Sequence, residues 1–202
     1  MAKIKLTKTE LKAQTDALKR FQRFLPMLQL KKQQLQGEIA GIAAKAEATA
    51  ARERDLRREI GGWVGLLATD EPLLDGLVRV KGVRTGHANI AGVTIPTFEA
   101  VDTEAKEIDP WATPAWLDAA ADATVRLLVL QSERAVYDEQ RRLVEEELQR
   151  TSQRVNLFEK VKIPECREAI RVIKIALGDE QTAAVARGKI AKSRAPEGED
   201  AA

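Results

Sequence analysis

Cysteine, histidine and aromatic side chains are nearly missing from this chain. Its one cysteine, Cys166, allows no disulfide within the chain, so a reducing compartment is the default expectation. Its one histidine, His87, removes every metal site or catalytic triad that needs two or more. Phe, Trp and Tyr make up 4% of 202 residues, too few large side chains to fill a wide core. No apolar run nears the roughly 18 residues of a membrane span; Trp63 to Ala68 is among the longest. The opening MAKIKL passes straight into a charged periodic segment, so no signal peptide is expected. A secreted, disulfide-stapled or membrane-spanning protein does not fit. What is abundant is charge, at 32% beside 44% apolar residues. That mixture is expected of a thin, helix-rich object with a narrow apolar seam.

Catalytic and ligand-binding signatures are equally scarce. There is no G-x-x-x-x-G-K-S/T phosphate loop, because Gly82 and Gly86 lack the lysine and following helix that it needs. Neither H-E-x-x-H nor C-x-x-C occurs, so metal-ligand spacing is absent. Glu145, Glu146 and Glu147 stand in a row, but consecutive helical residues point about 100° apart and cannot converge on one ligand. Cys166 reads as a small packing residue and His87 as a residue of a hairpin tip. Trp111 and Trp116 read as anchors pinning a connector. No catalytic, cofactor or metal residue is assigned.

The net charge of +2 conceals an asymmetry. Residues 1–60 carry 14 Lys and Arg against 7 Asp and Glu, residues 61–118 carry 4 against 9, and residues 119–202 carry 15 against 15. A basic segment can serve nucleic acid, an anionic surface or an acidic protein. It can also simply solvate the outside of a helix, so charge alone selects no partner. Single-strand nucleic acid would call for aromatics interleaved with the basic face, and only Phe21 and Phe24 lie there.

Residues 1–69 read as a long first helix. Thr7 and Glu10 form a T-x-x-E capping box, with Leu6 and Leu11 placed as its hydrophobic staple, so the helix should start near Lys8. From there apolar residues recur every seven. One row reads Ile4, Leu11, Leu18, Leu25, Lys32, Ile39, Ala46; another reads Thr7, Gln14, Phe21, Leu28, Leu35, Ile42, Thr49, Leu56, Trp63. A strict seven-residue period keeps its stripe on one face only when the helix supercoils leftward around a partner. Residues 114–192 supply that partner. Thr113 and Pro114 read as N-cap and first helical residue. Steps of three and four then run through Leu127, Leu130, Arg134, Tyr137, Arg141, Val144, Leu148, Thr151, Val155 and Phe158, and past Pro164 to Ala169, Ile170, Ile173, Ala176 and Leu177. Gly178 and Asp179 read as a stop and a fresh cap, with a short last helix to about Arg187. Residues 193–202 read as a disordered tail.

The fold class is therefore mainly α: a long antiparallel two-helix coiled coil carrying a small insert with a β-hairpin, one elongated domain overall. The expected seam holds Leu11, Leu18, Phe21, Leu25, Leu28, Leu35, Ile39, Ile42 and Leu56 against Leu130, Tyr137, Val144, Leu148, Val155 and Phe158. Aligning the bends expected at Pro26 and Pro164 gives a register in which facing numbers total about 190. Ile4 then meets Ala186, Leu35 meets Val155, Ile42 meets Leu148 and Ile60 meets Leu130. Some 60 residues at 1.5 Å each make a rod on the order of 90 Å. The acidic insert, residues 70–113, contains a turn at Asp70 to Pro72, at most one short helical piece ending near Gly76, and an exposed strand over 77–81. A turn around Thr85 to His87 and a returning strand over 90–95, stopped by Pro96, complete the expected hairpin.

Five of these segments carry a family resemblance. Residues 151–164, TSQRVNLFEKVKIP, resemble the R-V-N-x-L-E-x-V-x-I-P signature of the D subunit of V-type (vacuolar/archaeal-type) ATPases and ATP synthases. Residues 89–96, NIAGVTIP, resemble that family's N-I/V-A-G-V-x-I/V/L-P segment. Residues 165–177, the opening LTKTEL and residues 28–35 are similar to its helices, so the resemblance spans most of the chain in order. The sequence departs at Phe158, where the family often has leucine, and at Pro26. The resemblance implies a non-catalytic central rotor shaft, without cofactor, standing in a hexamer of A and B subunits. It also implies the F subunit and a socket subunit (C/d type) as partners, leading to a membrane ring that carries protons or sodium ions. The implied location is peripheral, on the cytoplasmic face of the membrane, with no direct membrane insertion and no nucleic acid. Lys12, Lys19 and Arg20 on the basic helix become expected contacts with the surrounding sleeve. A non-motor coiled-coil scaffold is the alternative.

Overall fold

The computed structural model describes residues 5–63, 65, 76–106, 113–114 and 116–194. The elements in chain order are helix α1 (Lys8–Gly61), strands β1 (Val78–Ile90) and β2 (Val93–Ala105), helix α2 (Trp116–Leu157), a π-helical turn (Phe158–Lys162) and helix α3 (Ile163–Arg194). The chain is mainly helical, with a two-stranded antiparallel hairpin between its long helices. It divides into two compact units: residues 31–151, and residues 1–30 with 152–202.

Helix α1 begins where its cap places it. Thr7 Oγ1 accepts a hydrogen bond from the Glu10 amide at 3.3 Å, half of the capping box. The reciprocal half is diverted, since Glu10 Oε1 accepts from Gln14 Nε2 at 2.8 Å. Alanine, leucine and long unbranched polar residues then sustain 54 helical residues straight through Pro26. Pro164 is accommodated differently. A proline there has no amide to donate, and its ring crowds the carbonyl four residues back, at Lys160. The preceding turn opens into the π form, in which the Ile163 amide donates to the Phe158 carbonyl.

In residues 31–151 the helices run antiparallel. Lys31 Nζ meets Glu147 Oε1 at 2.6 Å, Arg52 meets Glu133 at 3.5 Å and Arg126 meets Glu59 at 3.8 Å. The bend-matched register is corrected by these pairs. It would set Arg52 opposite Asp138 and Glu59 opposite Gln131, five residues away from the partners found. Ile60 shares a cleft with Ala123, Thr124 and Leu127 rather than Leu130. In the other unit Phe21 packs on Phe158, with ring centroids 4.9 Å apart, where the same register would offer Ala169. The prolines do not set the alignment because one lies inside an unbroken helix and the other is absorbed by a π turn. Side-chain packing decides it.

The hairpin is longer than expected and turns elsewhere. Thr85, Gly86 and His87 lie within β1, paired with Phe98, Thr97 and Pro96. The reversal falls at Ala91 and Gly92, with φ of 50° and 86°, the two positive values a type I′ turn requires. Asn89 Oδ1 accepts from the Gly92 amide at 3.0 Å, supporting the strained alanine. At Gly86 a Cβ would lie 2.5 Å from Glu99 Oε1 and 2.8 Å from Thr97 Oγ1, so a larger residue there would require those two side chains to shift. Pro96 does not stop β2, because a two-stranded ribbon leaves an edge position where the missing amide costs no ladder bond.

Helix α3 also outruns its expected end. Gly178 is helical, without a left-handed φ, and the helix continues through Ser193 to Arg194. A glycine costs only about 1 kcal/mol in a helix interior, which the alanine-rich run after it tolerates. The expected turn at Asp70 to Pro72, the Trp111 anchor, Ile4 and residues 195–202 lie outside the described residues.

Two apolar clusters organise residues 31–151. Leu35, Ile42, Ile95 and Val144 are buried together, with Ile39, Ile90, Tyr137 and Leu148 among the residues against them. Ile95 thus brings the hairpin onto the helix pair. Leu77, Leu117, Ala120 and Ala121 form the second cluster, and Trp63 and Trp116 pack on it. Trp116 therefore anchors the start of α2.

Candidate interaction surfaces

The helix pair presents a buried seam and charged outer faces. Along α1, Leu35, Ile42, Thr49 and Leu56 are all buried at seven-residue spacing, with Ile39 half-buried. Leu130, Val144 and Thr151 are buried on α2, with Tyr137 and Leu148 half-buried. In the other unit Val155, Ile163, Cys166, Ala169 and Ile173 are buried, and Leu11, Leu18, Phe21, Leu25, Leu28 and Phe158 are half-buried. Burial raises the Cys166 thiol pKa, with Glu165 adding to it, so the thiol packs as a small neutral group.

Several polar groups sit inside this seam. The Glu53 side chain is 9% exposed. It receives Arg57 Nε and Nη2 at 3.1 and 2.7 Å, and Gln131 Nε2 reaches it at 3.4 Å. The Arg57 hydrogen bonds hold its carboxyl below the usual glutamate range, outweighing burial, with Gln131 and the charges of Arg57 and Arg134 assisting. A depressed folded-state pKa stabilises the protein above the unfolded value of about 4.3. This stability is lost as pH falls through the lower folded value. In urea unfolding, the advantage of the parent chain over Glu53→Gln should stay level from pH 7 to 5 and shrink below about 4.3; a gap independent of pH down to 3 would refute the assignment. Tyr137 donates to Glu133 Oε1 at 3.1 Å, and burial first, then Glu133, raises its pKa. Gln140, also buried, donates from Nε2 to the Pro96 carbonyl at 2.5 Å and so ties the hairpin to α2.

The outer faces are charged. Glu145, Glu146 and Glu147 reach different partners, Arg141 for the first, Arg142 and Arg150 for the second and Lys31 for the third, as their helical directions require. Lys12, Lys19 and Arg20 are exposed on α1. A second stripe, outside the expected seam, comprises Phe24, Met27 and Leu30, exposed at 47, 61 and 57%. Its signal was available in the i, i+3, i+6 spacing, offset from the seam rows. His87 is an exposed strand residue rather than a turn residue. Among the described residues no cluster of His, Cys, Asp and Glu could hold a metal ion, and no helix is long and apolar enough to cross a membrane. A cleft of about 460 Å³ between α1 and α2 has Leu56, Val125, Val129 and Leu130 in its lining, with Arg52, Asp55, Glu59 and Arg126 around them.

A family profile described as the ATP synthase D subunit matches residues 10–193. The chain belongs to the ATP synthase D-subunit family. Its relatives extend the match over nearly full length on both sides. The V-type ATP synthase D subunit of Borreliella burgdorferi is 44% identical over 193 residues, covering 96% of this chain and 95% of that protein. The proteins of the same name from Chlamydia felis and Chlamydia trachomatis are 31% and 34% identical, each over 96% of this chain and 94% and 96% of their own lengths. The matched span contains both the 89–96 and the 151–164 segments.

Proposed function

We propose that this chain is the non-catalytic central-stalk rotor subunit of a V/A-type rotary ATPase or ATP synthase. It transmits torque between ATP hydrolysis or synthesis in a hexamer of A and B subunits and proton or sodium movement through a membrane ring. The F subunit and a socket subunit of the C/d type connect it to that ring, on the cytoplasmic face, without membrane insertion or nucleic acid. The observation that carries this reading is the antiparallel seam under charged faces, in a chain that aligns almost end to end with its V-type ATP synthase relatives. A packed seam resists twisting of one helix about the other. Solvated outer faces limit the apolar contact that would lock a rotor at one angle.

Lys12, Lys19 and Arg20 contact acidic surfaces of the A and B subunits in this reading. Co-purification of the full chain with A and B subunits, followed by ATPase and ion-pumping assays, tests it. The parent chain should co-elute and support coupled pumping. Reversing the three charges to glutamate should lower turnover or coupling by roughly tenfold at low salt, the difference shrinking as salt screens the contacts. Wild-type turnover and coupling in the variant would remove the sleeve contacts. A chain that elutes alone, or leaves pumping unchanged when omitted, would remove the rotor role in favour of a scaffold.

A further inference from the structure

Glu53 stands where an apolar residue would be expected. It continues the heptad row of Ile39 and Ala46, and Ile60 follows it seven residues later. Arg57, from its own helix, satisfies one carboxylate oxygen. The cross-helix partners are Gln131, 3.4 Å from Oε1, and Arg134, whose Nη1 lies 3.7 Å from Oε2. Arg134 is itself at a seam-spaced position of α2, between Leu127 and Arg141 in a seven-residue series. One turn along, the seam is apolar again, with Leu56 and Leu130 buried.

We infer that Glu53, Gln131 and Arg134 form a register pin, a polar layer that prevents α1 and α2 from sliding by a heptad. The inference goes beyond the rotor reading and does not depend on it. Apolar packing is non-directional and discriminates poorly between heptads. The α2 series Leu130, Tyr137, Val144, Thr151 repeats every seven residues, so a seven-residue slide still sets apolar rows largely against apolar rows. The polar layer breaks this near-degeneracy in both directions. A slide one way replaces Gln131 and Arg134 with Thr124 and Leu127, so the amide and the cation that now face Glu53 give way to a hydroxyl and an apolar side chain. A slide the other way brings Asp138 and Arg141, setting a second carboxylate beside the first. A single buried polar residue at a core heptad position specifies alignment in coiled coils on the same principle.

Cysteine crosslinking in the full chain tests the pin. Cys166→Ala removes the native thiol. Glu59→Cys with Arg126→Cys reports the native alignment, since these side chains meet at 3.8 Å and both are largely exposed. Glu59→Cys with Ala119→Cys, and Glu59→Cys with Glu133→Cys, report slides of one heptad in either direction. With a short bismaleimide, the native pair should dominate in the otherwise unaltered chain. Glu53→Leu should raise the slid products by roughly fivefold or more while helical circular dichroism is kept. Gln131→Ala with Arg134→Ala alters only exposed positions and should raise them by roughly threefold or more. Slid products at the parental level in either folded variant would overturn the pin. If Glu53→Leu loses its helical signal, the double variant decides alone. Loss of folding in both would also overturn it, since the layer would then secure stability rather than alignment.

Discussion

Leu35→Ala is expected to lower the unfolding free energy by roughly 3–4 kcal/mol. Leu35 is fully buried at the centre of the cluster with Ile42, Ile95 and Val144, so its truncation removes apolar contact from both helices and the hairpin at once. The loss combines the transfer free energy of the deleted groups with the cost of a cavity that close-packed neighbours cannot fill. In urea the unfolding midpoint should fall by roughly 1.5 M. Met27→Ala, on the same helix but 61% exposed, should change stability by no more than about 0.5 kcal/mol. Equal midpoints for the two variants would show that the cluster around Leu35 is not the core. Residues at contact distance should also be coupled. A double-mutant cycle of Leu35→Ala with Val144→Ala should therefore show an interaction energy of roughly 1 kcal/mol.

The second large effect belongs to Ile95. Only 3% of this side chain is exposed, and it is the buried hairpin member of the cluster. Ile95→Ala should cost roughly 2–4 kcal/mol, and the cost should fall on docking of the hairpin rather than on the helices. Hydrogen exchange measured by mass spectrometry separates the two. Amides of 78–90 and 93–105 should exchange roughly a hundredfold faster, while those of α2 around Val144 should change far less. Val83→Ala, on an exposed position of β1, is the control and should leave exchange near the parental rate. Equal acceleration in hairpin and helices would mean that they open as one cooperative unit and would refute separate docking.

Periodicity and burial explain why some features were legible from residue order and others were not. Seven-residue spacing is a local property of one chain segment, and a sustained heptad row must find a partner to bury it. Leu35, Ile42, Thr49 and Leu56 follow that row, and all four are buried. The start of α1 was equally legible, since Thr7 caps the helix through a bond spanning three residues. The hairpin is visible as two β-rich runs, but its turn lies at Ala91 and Gly92 rather than around Thr85 to His87. Gly86 reads from the sequence as a turn residue, whereas it lies inside β1 with the Glu99 and Thr97 side chains close across the strands. The true turn holds Ala91 at positive φ, a conformation that alanine does not advertise. Gly178 misled for the opposite reason: a glycine permits a helix to end without requiring it.

Residue order by itself determined that two heptad-bearing segments pair around a narrow seam, that an acidic insert with a hairpin separates them, and that the chain resembles the D-subunit family. These follow because hydrophobic period, capping chemistry and turn preference act over a few residues and are written locally. Tertiary structure alone decided which residue faces which: Lys31 with Glu147, Arg52 with Glu133, Phe21 with Phe158. It also decided that Glu53 is buried and that Ile95 joins the core. Alignment between distant segments depends on the summed packing and polar pairing of all their contacts. A heptad repeat leaves several alignments nearly equal in apolar contact, so the difference rests on the few side chains that break the repeat.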